Sequence, residues 1–134
     1  MIRRAEASDD ITELARQLGY PEGGRSLAAI RARDDHAVFV AIDGERIVGF
    51  IHVCVMLSLE SDSYAEIRAL IVDESQRGGG IGASLVSAAE KWAGEMRMER
   101  VRVRSNVIRE RARRFYERLG YAVTKTQNVF DKGL

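Results

Sequence analysis

Apolar and polar residues change their rhythm several times along this chain, and each change marks an expected element. The opening IRRA reads as a short edge strand. Ile11, Leu14, Ala15 and Leu18 then recur at three and four residues, the spacing of one helix face, with Ser8 as N-cap and Gly19-Tyr20-Pro21 as the stop. A second helix is expected from about Gly24 to Arg33, with Leu27, Ile30 and the intervening alanines on its apolar side. Two β-branched runs follow, AVFVAI and RIVGFIHVCVML, and the Asp43-Gly44 pair between them signals a hairpin. After a polar turn from Ser58 to Ser63, AEIRALIV predicts a strand that ends at Asp73.

Beyond Asp73 the segment QRGGGIGA leads into a helix whose stripe is Ile81, Leu85, Ala88, Ala89, Trp92 and Met96. VRVR at 101–104 alternates as a strand with one buried face. Ile108, Ala112, Phe115, Tyr116 and Leu119 mark a short helix with Gly120 at its C′ position, and YAVTKTQNVF is expected as a last strand. This order implies an α/β (α+β) fold, a mixed and mostly antiparallel central sheet with helices on both faces. A chain of 134 residues fits one domain, 1–134, which buries roughly two thirds of its unfolded surface.

Composition narrows the classes of function. The chain is 46% hydrophobic and 31% charged, and no stretch approaches the ~18 consecutive apolar residues of a membrane span. The start, MIRRAEASDD, turns acidic at once and lacks the apolar core of a signal peptide, so a cytoplasmic protein without a membrane partner is expected. Cys54 is the single cysteine, cannot form an internal disulfide, and reads as a small core residue. A net charge of +1 suggests no nucleic-acid partner. The balance is uneven, however: residues 1–75 hold 8 basic and 14 acidic side chains, residues 76–134 hold 13 and 6. Either the halves favour ligands of different charge, or solvated helix faces differ by chance. His36 has no metal-ligand pattern around it, and no metal is expected. His52 alternates with Phe50, Cys54 and Met56 on one strand face, as a structural histidine or as the lining of a substrate pocket.

Each glycine in a helix or strand is about 0.5–1 kcal/mol worse than alanine, so four within QRGGGIGA need a reason. A glycine turn at a helix start exposes unpaired N–H groups and the positive end of the helix dipole, which makes a phosphate cradle; it can also be a plain connection. A Walker loop requires Gly-Lys-Ser/Thr, and here Gly82 is followed by Ala83-Ser84. Gly78-x-Gly80-x-x-Ala83 matches the letters of the dinucleotide fingerprint, but the strand before it ends several residues too early and VRVR runs into Ser105-Asn106 instead of an acidic residue. Parsed as Arg77-x-x-Gly80-x-Gly82, the segment resembles the acyl-CoA motif of the GNAT superfamily of acetyl-CoA-dependent N-acetyltransferases. The likeness spans nearly the whole chain, including VAIDGERIVGFI, AEIRALIVDESQRGGGIGASLV and RERARRFYERLGY.

The resemblance implies specific roles. The backbone amides of Arg77, Gly78, Gly79, Gly80, Ile81, Gly82 and Ala83 would bind the pyrophosphate of acetyl-CoA, and the backbone of Leu70, Ile71 and Val72 its pantetheine arm, in a slot opened where the VRVR strand splays away. Glu66 stands eleven residues before Arg77, where family members carry their base. A lysine-like amine costs about 4.6 kcal/mol to present neutral at pH 7, which is the task of such a base. By period two, Glu66 is expected on the strand face of Arg68, Leu70 and Val72; otherwise it is an ordinary charged residue at a strand end. Tyr116 matches the tyrosine that protonates the departing thiolate, or is a core aromatic beside Ala112 and Leu119. Where many members place an asparagine, this chain has Arg109, so either Asn106 or Arg109 would contact the cofactor. Arg109, Arg111, Arg113, Arg114 and Arg118 either attract its 3′-phosphate or form a solvated face. The implied activity is acetyl transfer to a primary amine by direct attack in a ternary complex. The acidic first half, with Leu59-Glu60-Ser61-Asp62, suggests a cationic small molecule or peptide as acceptor. The likeness also implies a homodimer through the last strand. The alternative is a catalytically idle acyl-CoA sensor or interaction module.

Overall fold

In the computed structural model, residues 1–20, 22 and 26–134 are described; Pro21, expected to stop the first helix, and Gly24, expected to start the second, lie outside them. Two compact units result, Met1–Val103 and Arg104–Leu134. The first holds a five-stranded sheet in the order β1 (Ile2–Arg4), β2 (His36–Asp43), β3 (Arg46–Met56), β4 (Tyr64–Val72) and β5 (Val101–Val103). It also holds helices α1 (Thr12–Gln17), α2 (Leu27–Arg31) and α3 (Ile81–Glu95), while the second unit holds α4 (Glu110–Arg118). Strands β1 to β4 pair antiparallel, and β5 runs parallel to β4.

The alternating strands bury both of their faces. On one, Val38, Val40, Phe50 and Ile71 cluster with Ala5, Ile11, Leu14 and Leu27, so the short α1 and α2 owe their stability to packing more than to length. On the other, α3 buries Leu85, Val86, Ala89 and Trp92. Here Gly49 is required by close approach: a Cβ would meet Ile71 O at 3.0 Å and Leu85 Cδ1 at 3.1 Å. The hairpin closes on an Asp43–Arg46 pair, so its loop is Gly44-Glu45, with the positive φ of +64° on Gly44.

Several expectations need correction. Helix α1 begins at Thr12, not after Ser8, because Asp9 and Asp10 take over the preceding turn: their carboxylates accept from Glu6 N at 2.7 Å and Thr12 N at 2.9 Å. Helix α2 is only five residues long. Ile108 precedes α4 and is exposed. All three residues of β5 are half-buried, with no single buried face. No strand forms in 121–130: Val129 and Phe130 are 85% and 88% exposed, and without a ladder partner apolar alternation does not make a strand.

The most consequential correction is one of parity. His52 pairs with Ala69 but its neighbour Val53 pairs with Ile67, which leaves Arg68 as an extra, bulged residue. Every side chain beyond it changes face. Glu66, opposite Cys54, therefore shares a face with Ala69 and Ile71, and not with Leu70 and Val72 as period two predicts. Among the described residues, no helix is long and apolar enough to cross a membrane.

Candidate active site

The loop after β4 is organised by Asp73. Its carboxylate accepts from Ser75 N at 3.0 Å and Ser75 Oγ at 2.8 Å, caps the 3-10 turn Glu74–Gln76, and receives Arg46 Nη2 at 2.6 Å. These hydrogen bonds from Ser75, aided by Arg46, hold the Asp73 carboxyl below its usual range. Arg77 Nε reaches back to donate to Val72 O at 3.1 Å. Gly78 and Gly80 then adopt φ of +87° and +86°, with nothing within 4 Å of an added Cβ at either, so conformation and not crowding demands glycine there. Gly80 is the N-cap of α3, no side chain caps the helix, and the first intrahelical bond is Ser84 N to Gly80 O at 3.1 Å. The amides of Ile81, Gly82 and Ala83 thus have no intrahelical acceptor, at the positive end of a 15-residue helix.

Strand β4 leads from this turn to Glu66. Asp73 N donates to Val48 O at 2.7 Å, and Ile71 O faces Gly49, so Ile71 turns its peptide groups into the β3 ladder. By alternation Leu70 and Val72 present theirs to the opposite edge. Along that edge β5 pairs only with Ala65, Glu66 and Ile67, and within the first unit the rest of β4 has no strand partner.

Glu66 is the middle of these three pairs, 1% exposed, in register with Cys54 on one side and Arg102 on the other. Arg68 Nη1 donates to Glu66 Oε2, so the bulge that changes parity also supplies the carboxylate's partner. On the same face His52 Nε2 lies 2.9 Å from His36 Nδ1, with the rings stacked. Burial, and after it the neighbouring His36 and Arg68, lowers the His52 imidazole to about 4, so it is neutral at pH 7. Burial raises the Cys54 thiol, which donates to Met56 Sδ at 3.7 Å and is a core residue. Next to Glu66, the guanidinium groups of Arg100 and Arg102 lie 4.8 and 4.6 Å from the centroid of the buried Tyr64 ring. Sequence reasoning missed these arginines as site residues. The alternation of 100–104 puts Arg100 and Arg102 on one face, but nothing in it reveals Tyr64 beside them.

In the second unit Asn106 Oδ1 accepts from Ile108 N at 3.2 Å, and Arg109 is the exposed N-cap residue of α4. Arg113 forms an ion pair with Glu117 at 3.0 Å one turn along α4. Tyr116 packs edge-on against Phe115 and Tyr121, with centroids 5.0 and 5.6 Å away. Burial pushes its phenol up to about 12.

The mixed sheet, the carboxylate buried near the end of its parallel pairing and the glycine turn into an uncapped helix fit the fold of the acetyltransferases. The chain belongs to the acetyltransferase (GNAT) family, whose profile matches residues 6–121, and acetyl-CoA is its acyl donor. Among solved structures, an aminoglycoside 6'-N-acetyltransferase from Acinetobacter haemolyticus has a TM-score of 0.83 at 15% identity, covering 100% of this chain and 99% of that one. An aminoglycoside N-acetyltransferase in complex with CoA gives 0.84 at 18% identity, covering 100% of both. A transcriptional regulator from Bacillus halodurans gives 0.80 at 26% identity, covering 98% of this chain and 99% of that one. No functionally curated protein matches the sequence.

Proposed function

We propose that this protein transfers the acetyl group of acetyl-CoA to a primary amine by direct attack, with both substrates bound together. The observation that carries this reading is the buried carboxylate of Glu66, one residue before the β4–β5 ladder stops at Ile67. From Val72 back to Glu66 the strand spans about 20 Å, a track that connects a phosphate site at the glycine turn to a proton acceptor.

In this reading the amides of Arg77 to Ala83 hold the pyrophosphate, with Gly78 and Gly80 letting the backbone come close. The outward peptide groups of Leu70 and Val72 hold the pantetheine arm as an added strand would, while Ile71 keeps β4 on β3. Asn106 accepts from Ile108 N through its side-chain oxygen and keeps its NH2 as a donor, so either Asn106 or Arg109 is the group for the cofactor. The acceptor ammonium gives a proton to Glu66, its nitrogen forms the C–N bond, and the C–S bond breaks. The second proton leaves the nitrogen as the amide forms and reaches the departing thiolate through water, while the Tyr116 phenol donates a hydrogen bond to that sulfur and keeps its own proton.

Release of free thiol from acetyl-CoA in the presence of a panel of amines tests this. Amine-dependent release, with the acetylated amine found by mass spectrometry, is expected. Tight acetyl-CoA binding by calorimetry with no transfer to any amine would make the protein an idle acyl-CoA sensor instead.

A further inference from the structure

The geometry points to an acceptor amine that also carries an anionic group, a carboxylate or a phosphate, held by Arg100 and Arg102 beside Glu66. The inference rests on the acetyl-transfer reading above and names the substrate class of that site. Five of the fourteen carboxylates in residues 1–75 are paired with arginines. Asp9 pairs with Arg3, Glu13 with Arg16, Asp35 with Arg33, Asp73 with Arg46 and Glu66 with Arg68. What surrounds Glu66 on its own face is positive. Arg102 stands next to it in the β4–β5 register, and Arg100, two residues earlier, shares the Tyr64 ring with Arg102. Among the described residues neither arginine makes an ion pair. Glu60 and Asp62, the acids expected to draw a cation, lie in the exposed turn ahead of β4.

Arg68 already compensates Glu66, so Arg100 and Arg102 leave an excess of positive charge where the amine must arrive. Two like charges brought to one ring repel each other, and an anion between them relieves that repulsion. A polycation meets only the repulsion. The same field favours the neutral amine over the ammonium, because a nearby positive charge lowers an amine's pKa, so it assists the proton transfer to Glu66. An anionic handle is what lets such a site attract an amine and still deprotonate it. Register sets the scale: neighbouring strands are about 4.8 Å apart and two residues of strand rise about 6.7 Å, so amine and anion are several bonds apart.

Matched amines test this: ε-aminocaproate against hexylamine, phosphoethanolamine against ethanolamine, and kanamycin as a polycation, each followed by thiol release. The anionic member of at least one pair is expected to have kcat/KM about 10-fold or more above its match, the scale of one charge-assisted contact. Which pair shows it separates carboxylate from phosphate. R100Q and R102Q should raise KM for that amine and bring the ratio toward one, while R102K, which keeps the charge, retains most of it. Acetyl-CoA affinity by calorimetry reports that the variants are folded. Transfer without a charge preference, or kanamycin preferred with R100Q and R102Q unchanged, overturns the inference and leaves the acetyl-transfer reading standing. No transfer to any of the five amines, with acetyl-CoA bound, overturns both.

Discussion

Replacing Glu66 by glutamine keeps the shape of a side chain that is 1% exposed and removes only its ability to take a proton. Holding a lysine-like amine neutral at pH 7 costs about 4.6 kcal/mol, and a positioned base typically recovers 10²–10⁴ in rate, or about 3–5 kcal/mol. E66Q should therefore lower kcat by about 100-fold or more at pH 7. Arg68 is 48% exposed and can turn to water, so the variant should still fold. Acetyl-CoA binding, assigned in the proposed reading to the glycine turn and the outward peptide groups of Leu70 and Val72, should be unchanged by calorimetry. The decisive readout is the pH profile. Without a base, activity must follow the fraction of acceptor already neutral, so log kcat/KM for E66Q should climb with a slope near one per pH unit toward the amine's own pKa. Wild type should level off earlier. A variant within about threefold of wild type at pH 7, with an unaltered profile, would refute the base role and leave Glu66 as a buried partner of Arg68.

Y116F should reduce kcat by about 10-fold or more while leaving acetyl-CoA affinity intact if, as proposed, the phenol donates one hydrogen bond to the leaving sulfur; equal loss in binding and turnover would point to a packing role. The folded-state pKa of Tyr116 is raised above its unfolded value of about 10, so its contribution, about 2–3 kcal/mol, is fully present below pH 10 and lost as pH rises through about 12. Urea melts of wild type and Y116F across that range should differ in slope. For His52 the sign is opposite: a folded value lowered to about 4 gives stability that is present above about 6.5 and lost as pH falls through 4, a loss that H52N should diminish in thermal melts. G80A introduces a Cβ at φ +86°, with room around it but in a left-handed conformation. It should cost about 1–2 kcal/mol of stability or of acetyl-CoA binding, and no change in either would mean the turn relaxes without its glycine.

Much of this molecule is legible in its sequence because local physics acts alone there. The order of strands and helices, the hairpin at Gly44, the buried stripe of α3 and the glycine turn after β4 all follow from periodicity and from the backbone freedom of glycine. So do the candidates Glu66 and Tyr116, which stand at the spacings of a recognisable motif. Three things wait on the tertiary structure. Arg68 bulges only because β3 and β4 pair in a particular register, and that one residue moves Leu70 and Val72 to the face opposite Glu66. The alternation of residues 121–130 looks like a strand in isolation, but a strand is defined by a partner that no sequence window contains. The acidic count of the first half does not say which carboxylates stay open; folding pairs five of the fourteen with arginines from Arg3 to Arg68, and sets Arg100 and Arg102 on Tyr64 beside the buried Glu66. A sequence determines which charges and periods are present; only the packed chain decides which of them meet, because pairing and register depend on residues far apart along it.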